Sequence, residues 1–543
     1  MACGRYRDVQ TIPGAPVKAP LSLAVQVPYR GMSVSLHRRK PRSKPTSRDI
    51  LAGLTVAMVL LPQSLAYAEL AGVPAYFGIY AAAIAPIVAA LYGSSPYLQT
   101  GPTALTSLLA FGVVVVIAAP GSAEFPALIA LLALIVGLAR LLIGVFRLGQ
   151  IAYLLSEPVL IGFTSAAGVL ILASQLPTAL GVVPPVVGVM EGALWALTNP
   201  LFWQPAAILL SVATLALMVV GKRISPLFPG VLVAMILGIM YATIFPYPAG
   251  VVGHVPTGVP LPSLTLPWGS ITQLLLGGVV ISLVGFAEVA SIARTYATEE
   301  RQRWSPDREF FSQGLANISS GLLGSIPVGG SFSRSEINRQ AGAKSRWSGA
   351  VAGGAILLLL PFLDLLSALP RAVLAAIVIG AIMNLIRIPP MLRLRRYSTP
   401  QFVVAGITFV LCLTLAPRID LAILIGVLLS MSIHLARELA IEVDGVYGGG
   451  VLHLTPHGVL WFGSASIFEE RVLEVLAAYP QTKKIVIHFE GLGRVDLSGA
   501  FVLSRLVDDM RQAGIEVEVK DVPPQARRIV RPLIDEEEKI SRR

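Results

Sequence analysis

Charge is scarce in this 543-residue chain. Asp, Glu, Lys and Arg together make up 13% of it, about half the share of a soluble globular domain, while 55% is hydrophobic and the mean hydropathy is +0.73. That shortage excludes a water-soluble enzyme, a disordered chain and a fibrous repeat, since none of these tolerates long apolar blocks without a charged surface to offset them. Cysteine is scarcer still: Cys3 and Cys412 lie in unrelated contexts, which leaves no disulfide framework and no thiolate metal site. The histidines, His37, His254, His434, His453, His457 and His488, follow no metal-ligand spacing. There is no P-loop, dinucleotide fingerprint or nucleophile elbow. Neither an enzyme, a cofactor, a bound metal nor ATP-driven pumping is therefore expected. The net charge of +11 comes mainly from the N-terminal tail and from breaks between hydrophobic segments, a placement that membrane topology explains and nucleic-acid binding does not.

What is abundant is hydrophobic sequence in long blocks, the mark of a polytopic α-helical membrane protein. A crossing needs about 20 apolar residues to span about 30 Å of hydrocarbon. Full crossings are predicted at 50–71, 76–92, 125–147, 151–174, 203–221, 227–247, 271–295, 348–368, 370–386, 399–416 and 418–437. Two interrupted segments, 100–119 and 330–343, and a weakly apolar one, 310–325, bring the total to fourteen. With the N-terminus inside, the inner loops collect Arg140 and Arg147, Lys222 and Arg223, Arg294 through Arg308, Arg339 with Lys344 and Arg346, and Arg387 through Arg396. The outer connections carry little beyond Arg371 and Arg418. This asymmetry is the one cytoplasmic loops show, and an even count returns the C-terminus to the same side.

Three regions follow: a basic, Pro-rich cytoplasmic tail at 1–48, expected to be disordered, with Met32 as an alternative start to Met1; a membrane domain at 49–440; and a small cytoplasmic α/β domain at 446–543. In the last, strands are predicted at 451–454, 458–463, 484–489 and 515–519 and helices at 467–479, 498–513 and 523–533.

The interrupted segments are each third in their half of fourteen. Short, Gly/Pro-broken spans at matching places in two halves point to repeats, and seven spans per half make the second half run upside down. The two broken helices then approach from opposite faces and their N-termini meet. One opens Gln99-Thr100-Gly101-Pro102-Thr103-Ala104, the other Gly329-Gly330-Ser331-Phe332-Ser333-Arg334. Unpaired N–H groups and positive dipole ends make such a junction an anion site, to which Arg334 adds a full charge. A plain loop carrying a topology arginine is the other reading. Glu288, well inside a span, reads as a protonatable coupling group or as a structural partner of a basic residue. Glu69, near a span end, reads equally as a coupling group or as a vestibule residue. Gln63 follows Pro62, which bends the helix and frees a carbonyl, and Tyr67 lies one turn along on the same side, so both are expected to face a cavity.

The run Leu61-Pro62-Gln63-Ser64-Leu65-Ala66-Tyr67-Ala68, then Pro74 through Ala82, Tyr92-Gly93-Ser94-Ser95 and Thr100-Gly101-Pro102, resembles the signature of the sulfate permease (SulP) family. Pro327 through Arg334 with Asn338 through Ala343 resembles that family's tenth segment, and Ile485 through Phe489 leading to Val495-Asp496-Leu497-Ser498-Gly499 resembles a STAS domain. The resemblance implies a dimeric seven-plus-seven inverted repeat with core and gate subdomains, moving anions by an elevator-like excursion of the core. It assigns Gln63, Tyr67, Ser333 and Arg334 to the anion pocket, beside the first-turn positions Ala104, Ser331 and Phe332, and Glu288 to cation coupling. Thr103 stands where mammalian relatives carry an aromatic, a change that suits a hydrated oxyanion. Ser498 matches a phosphorylated position of STAS antagonists, with a plain helix N-cap as the alternative.

The expected activity is proton-coupled sulfate uptake at the inner (plasma) membrane. Sodium-coupled bicarbonate transport, proton-coupled dicarboxylate transport, an uncoupled channel or exchanger, and a membrane scaffold whose STAS domain binds a partner remain alternatives.

Overall fold

The computed structural model describes residues 44–532, except 154, 187, 226, 257, 259, 260, 263, 264, 525 and 531. The expected basic tail, up to residue 43, and both start methionines lie outside the described residues. The first half runs α1 (Ser47–Leu70), α2 (Tyr76–Tyr92), β1 (Thr100–Gly101), α3 (Ala104–Val114), α4 (Phe125–Val145), α5 (Glu157–Leu180), α6 (Val189–Thr198), α7 (Pro205–Ile224) and α8 (Gly230–Ile244). The second runs α9 (Ile271–Glu299), α10 (Pro306–Leu322), β2 (Gly329–Gly330), α11 (Phe332–Gln340), α12 (Trp347–Leu359), α13 (Arg371–Ile382), α14 (Ile388–Tyr397), α15 (Thr399–Thr414) and α16 (Ile419–Leu439). Among the described residues, seven helices are long and apolar enough to cross a bilayer: α1, α4, α5, α7, α9, α12 with its 3-10 extension, and α16. The shorter apolar α2, α3, α8, α13 and α15, with α10 and α11, complete the fourteen expected.

The two halves pack alike. α4 lies on α10 as α12 lies on α2, α9 meets α4 as α1 meets α12, α3 touches α9 as α11 touches α1, and α5 pairs with α15 as α13 pairs with α7. Exchanging the halves turns each contact into its partner, which is the internal symmetry of an inverted repeat. The symmetry extends to two helices not anticipated from sequence. α6 and α14 each follow the fifth membrane helix of their half, and each has ten residues, too few to span. α14 carries Arg393, Arg395 and Arg396 and buries only Met391, so its composition reads as a loop. The helices sort into two bundles, α1–α4 with α9–α12, and α5, α7 and α8 with α13, α15 and α16.

Small residues let α4 and α10 approach closely, as membrane helices without a hydrophobic drive between them require. A Cβ on Gly137 would lie 2.6 Å from the Ile318 amide nitrogen, and one on Gly314 2.6 Å from that of Leu141. Seven residues further along each helix, Gly144 and Gly321 make equally close approaches to Phe311 and Ala130.

Beyond α16 the soluble domain comprises β3 (Glu442–Gly448), β4 (Val451–Leu460), α17 (Ala465–Ala478), β5 (Lys484–His488), β6 (Leu492–Val495), α18 (Leu497–Gln512) and β7 (Glu516–Lys520). The sheet order is β3-β4-β5-β7, with β6 beside the far end of β4; β3 is antiparallel to β4 and the other pairings are parallel. Helices α17 and α18 cover one face through Phe468, Val472, Leu503 and Val507. The strands expected at 451–454 and 458–463 are one strand. Gly458, with φ +124°, is a bulge where β4 changes partner from β5 to β6, and not a break. β3 and β6 were not expected, and the domain's first strand starts at Glu442, before the anticipated boundary at 446. Of the helix expected at 523–533, residues 526–530 are helical and the last residues lie outside those described.

Gly314→Val should strain the α4–α10 seam and destabilise the fold by about 1–3 kcal/mol. A lower thermal midpoint of the purified protein than for Gly314→Ala would confirm it.

Candidate functional site

Two helix starts meet at the middle of the first bundle. β1 and β2 form a two-rung antiparallel ladder, Thr100 opposite Gly330 and Gly101 opposite Gly329, which sets the first turns of α3 and α11 against each other. Thr103 caps α3, its hydroxyl accepting from the Thr106 amide at 3.3 Å, and Ser331 caps α11 by accepting from the Arg334 amide at 3.5 Å. The remaining first-turn amides, at Ala104 and Leu105 and at Phe332 and Ser333, are those a helix leaves without an intrahelical partner. Gly101 has φ +154°, and a Cβ there would lie 3.1 Å from Leu60 and 3.4 Å from the Arg334 guanidinium. Only glycine gives that approach without displacing the cation.

Arg334 is fully buried. Its Nη1 donates to Gln63 Oε1 at 3.0 Å and its Nη2 to the Pro102 carbonyl at 2.8 Å, while Nε has no partner among the described residues. The guanidinium therefore crosslinks α1, the α3 entry and α11, and of its three nitrogens Nε is left uncommitted. Gln63 and Tyr67 are buried one turn apart on α1, and the Gln63 side-chain carbonyl oxygen is turned to Arg334. Thr103 and Ala104 are buried; Phe332 and Ser333 are exposed, Phe332 to 40%. Glu288 on α9 is partly buried, makes no hydrogen bond or ion pair with a described residue, and lies within electrostatic range of Arg334, Arg140 and Arg387.

Glu69 is not brought to this centre. Its carboxylate meets Arg371 Nε at 3.3 Å, tying the end of α1 to the start of α13. Arg418 is likewise paired, with Asp420 at 2.9 Å, so both arginines of the expected outer connections have acidic partners. Ser498 is exposed in the first turn of α18, whose cap is Asp496, accepting from the Gly499 amide at 2.7 Å; the plain N-cap reading of Ser498 is corrected accordingly.

Arg140 is a second correction. Assigned to an inner loop from sequence, it lies inside α4, fully buried, donating to the carbonyls of Ser282 at 3.1 Å, Ile281 at 3.3 Å and Val328 at 2.9 Å. Sequence reasoning also passed over one stripe on α10. Glu309 accepts from the Ser94 and Ser95 amides, Gln313 donates to Thr100 Oγ1 at 2.7 Å, Asn317 holds both the amide (2.9 Å) and the carbonyl (3.0 Å) of Val328, and Ser320 donates to the Ile326 carbonyl at 2.6 Å. These residues recur at three- and four-residue spacing, one helix face. That spacing was the available signal. Together with Arg140 they satisfy the backbone that the broken helices leave open.

Paired broken helices within an inverted helical repeat are a pattern found in many membrane transporters. Residues 47–408 match the profile of the Sulfate permease family and residues 442–535 that of the STAS domain, and the chain belongs to the sulfate permease family of anion transporters. Similar proteins include "Probable sulfate transporter MT1781" of Mycobacterium tuberculosis, 30% identical over 505 residues, covering 86% of this chain and 88% of the relative. "Sulfate transporter 4.1, chloroplastic" of Arabidopsis thaliana is 29% identical over 516 residues, 87% of this chain and 75% of the relative. Among solved structures, the murine Slc26a9 anion transporter in the inward-facing state matches with a TM-score of 0.83 at 19% identity, over 91% of this chain and 89% of that one. The transmembrane domain of a cyanobacterium bicarbonate transporter, BicA, matches with a TM-score of 0.61 at 25% identity, over 70% of this chain and 96% of that one.

Asn317→Leu keeps the side chain's size and leaves the Val328 amide and part of its carbonyl's bonding unmet. A loss of about 1–3 kcal/mol, read as a lower thermal midpoint and reduced yield of folded protein, is expected.

Proposed function

We propose that the chain is a secondary active transporter taking up sulfate together with a proton, in which the α1–α4/α9–α12 bundle carries the anion past the second bundle in an elevator-type cycle. The observation that supports this most is Arg334, a buried cation with an uncommitted Nε–H at the junction of two helix N-termini. Gln63, Tyr67, Thr103, Ala104, Ser331, Phe332 and Ser333 surround that position on the opposed first turns and on α1. Such a centre favours an anion through fixed dipoles and one full charge, without reorganisation.

Charge balance favours the proton. A load crossing the low-dielectric middle of a bilayer is penalised for each uncompensated charge. Around the anion centre Arg334 and Arg140 contribute +2 and ionised Glu288 −1, leaving +1. Sulfate brings this to −1, and one proton on Glu288 restores neutrality. Sodium near Glu288 would do the same. Bicarbonate balances the +1 with no proton, so bicarbonate transport is the second reading, supported by this arithmetic and by the likeness to a bicarbonate transporter's membrane domain.

The cationic breaks, Arg147, Lys222–Arg223, Arg294–Arg308, Arg339–Arg346 and Arg387–Arg396, fall on one side of a fourteen-segment count. That supports a cytoplasmic N-terminus and STAS domain in the inner (plasma) membrane. A homodimer and a cytoplasmic partner of the STAS domain, with exposed Ser498 as the regulatory position, complete the proposal.

The test is radiolabelled sulfate uptake into proteoliposomes with and without an inward proton gradient. Uptake should follow the gradient, fall at least tenfold in Arg334→Ala, and lose its pH dependence in Glu288→Gln. Bicarbonate uptake indifferent to pH, with no sulfate flux, would overturn the substrate. Thr103→Phe should lower sulfate uptake and shift preference toward monovalent anions; unchanged selectivity would remove Thr103 from the pocket.

A further inference from the structure

A cleft of about 790 Å³ lies where the last membrane helix passes into the soluble domain, between the end of α16, the starts of α5 and α15, and residues of β6 and the β4–α17 connection. Its lining is zoned. On the membrane side α16 presents Leu428, Met431 and Leu435, each about half exposed. On the soluble side stand Arg437 of α16, Arg494 of β6 and the Trp461 indole. The indole N–H donates to the Glu438 carbonyl at 3.1 Å, which fixes the ring at the polar end.

Neither cation has a carboxylate partner among the described residues. Arg437 reaches only the Ser398 hydroxyl, at 3.1 Å, and Arg494 makes no hydrogen bond or ion pair with a described residue. Glu438 is the one carboxylate lining the cleft among the described residues, so Arg437, Arg494 and Glu438 together give the lining a net +1. An occupant with an apolar chain and one negative charge at its polar end complements both zones. A free inorganic anion would leave Leu428, Met431 and Leu435 uncovered; a neutral lipid would leave the charge unmatched.

We propose that this cleft binds an anionic glycerophospholipid, its phosphate held by Arg437 and Arg494 and an acyl chain lying along α16. The site joins the membrane domain to the soluble domain through a bilayer component and does not depend on the anion centre described above. Ser156 and Ser430, whose hydroxyls are 2.8 Å apart on the cleft wall, supply further polar contacts for the headgroup.

The full-length protein in phosphatidylcholine bilayers, doped with equal fractions of brominated phosphatidylglycerol or brominated phosphatidylcholine, tests this. The Trp461 component of the fluorescence is the difference between wild type and Trp461→Phe. Brominated phosphatidylglycerol should quench it at least twofold more than brominated phosphatidylcholine, and the double variant Arg437→Gln/Arg494→Gln should remove that difference. Equal quenching by both lipids would reduce the cleft to ordinary solvation by the bilayer and overturn the proposal. So would quenching by neither, with cross-linking of two chains through Met431→Cys, which would identify a second copy as the occupant. Should Trp461→Phe fail to fold, native mass spectrometry from mixed micelles decides: wild type should retain phosphatidylglycerol over phosphatidylcholine and the double arginine variant should not.

Discussion

Everything in the membrane domain depends on one constraint: a backbone that leaves helical geometry inside hydrocarbon must find hydrogen bonds within the protein. Both halves break their third helix, and the open carbonyls and amides of 100–103 and 326–330 have no water at hand. The chain answers with side chains carried on intact neighbours, Arg334 on the Pro102 carbonyl, Arg140 and Asn317 on Val328 and Thr106 on the Pro327 carbonyl, while Gln313 holds the Thr100 hydroxyl. Once these bonds are made, the two helix starts are held in opposition and their unfilled donors become a fixed positive field. The architecture of support and the chemistry of the site are thus the same set of bonds seen from two sides. Arg334 shows this most directly, with two of its nitrogens spent on structure and Nε uncommitted.

The same constraint separates what was legible in the sequence from what was not. Long apolar blocks, the fourteen-segment count and the two Gly/Pro interruptions could be read directly, because hydropathy and helix breaking are local properties. Gln63, Tyr67 and Arg334 were legible because intramembrane polar residues cost too much to be idle. Arg140 was misread for the opposite reason: near the end of a predicted span, an arginine serving three buried carbonyls has the same sequence context as a topology charge. The weakly apolar segment 310–325 was taken at face value, whereas its polarity was directed inward, onto the partner segment. Hydropathy averages around the helix and loses that direction. α6 and α14 were missed because a ten-residue amphipathic helix has the composition of a loop, and they become interpretable only through the repeat. In the soluble domain, Gly458 looked like a strand end because a bulge and a break share a residue type.

Glu69 shows how placement alone decides a carboxylate's role. Glu69 and Glu288 both lie on helices of the first bundle. Glu69 meets Arg371 across the seam with α13 and is thereby a fastening between bundles, whereas Glu288 has no direct partner and remains electrostatically exposed to three arginines. The glycine seam of α4 and α10 is complementary to this: it keeps the first bundle's internal contacts close.

The β1–β2 ladder joins residues separated by more than two hundred positions in the chain. A ribosome that has delivered α1 through α8 has therefore made only one side of the centre: the Pro102 carbonyl awaits an arginine and the Thr100 hydroxyl awaits a glutamine not yet synthesised. Until α10 and α11 are inserted, the break in the first half is an exposed fault in the bilayer, the kind of unsatisfied polar segment that membrane quality control recognises. Assembly of the centre consequently waits on the second half of the chain, and a chain terminated near the midpoint lacks every partner that closes its first break.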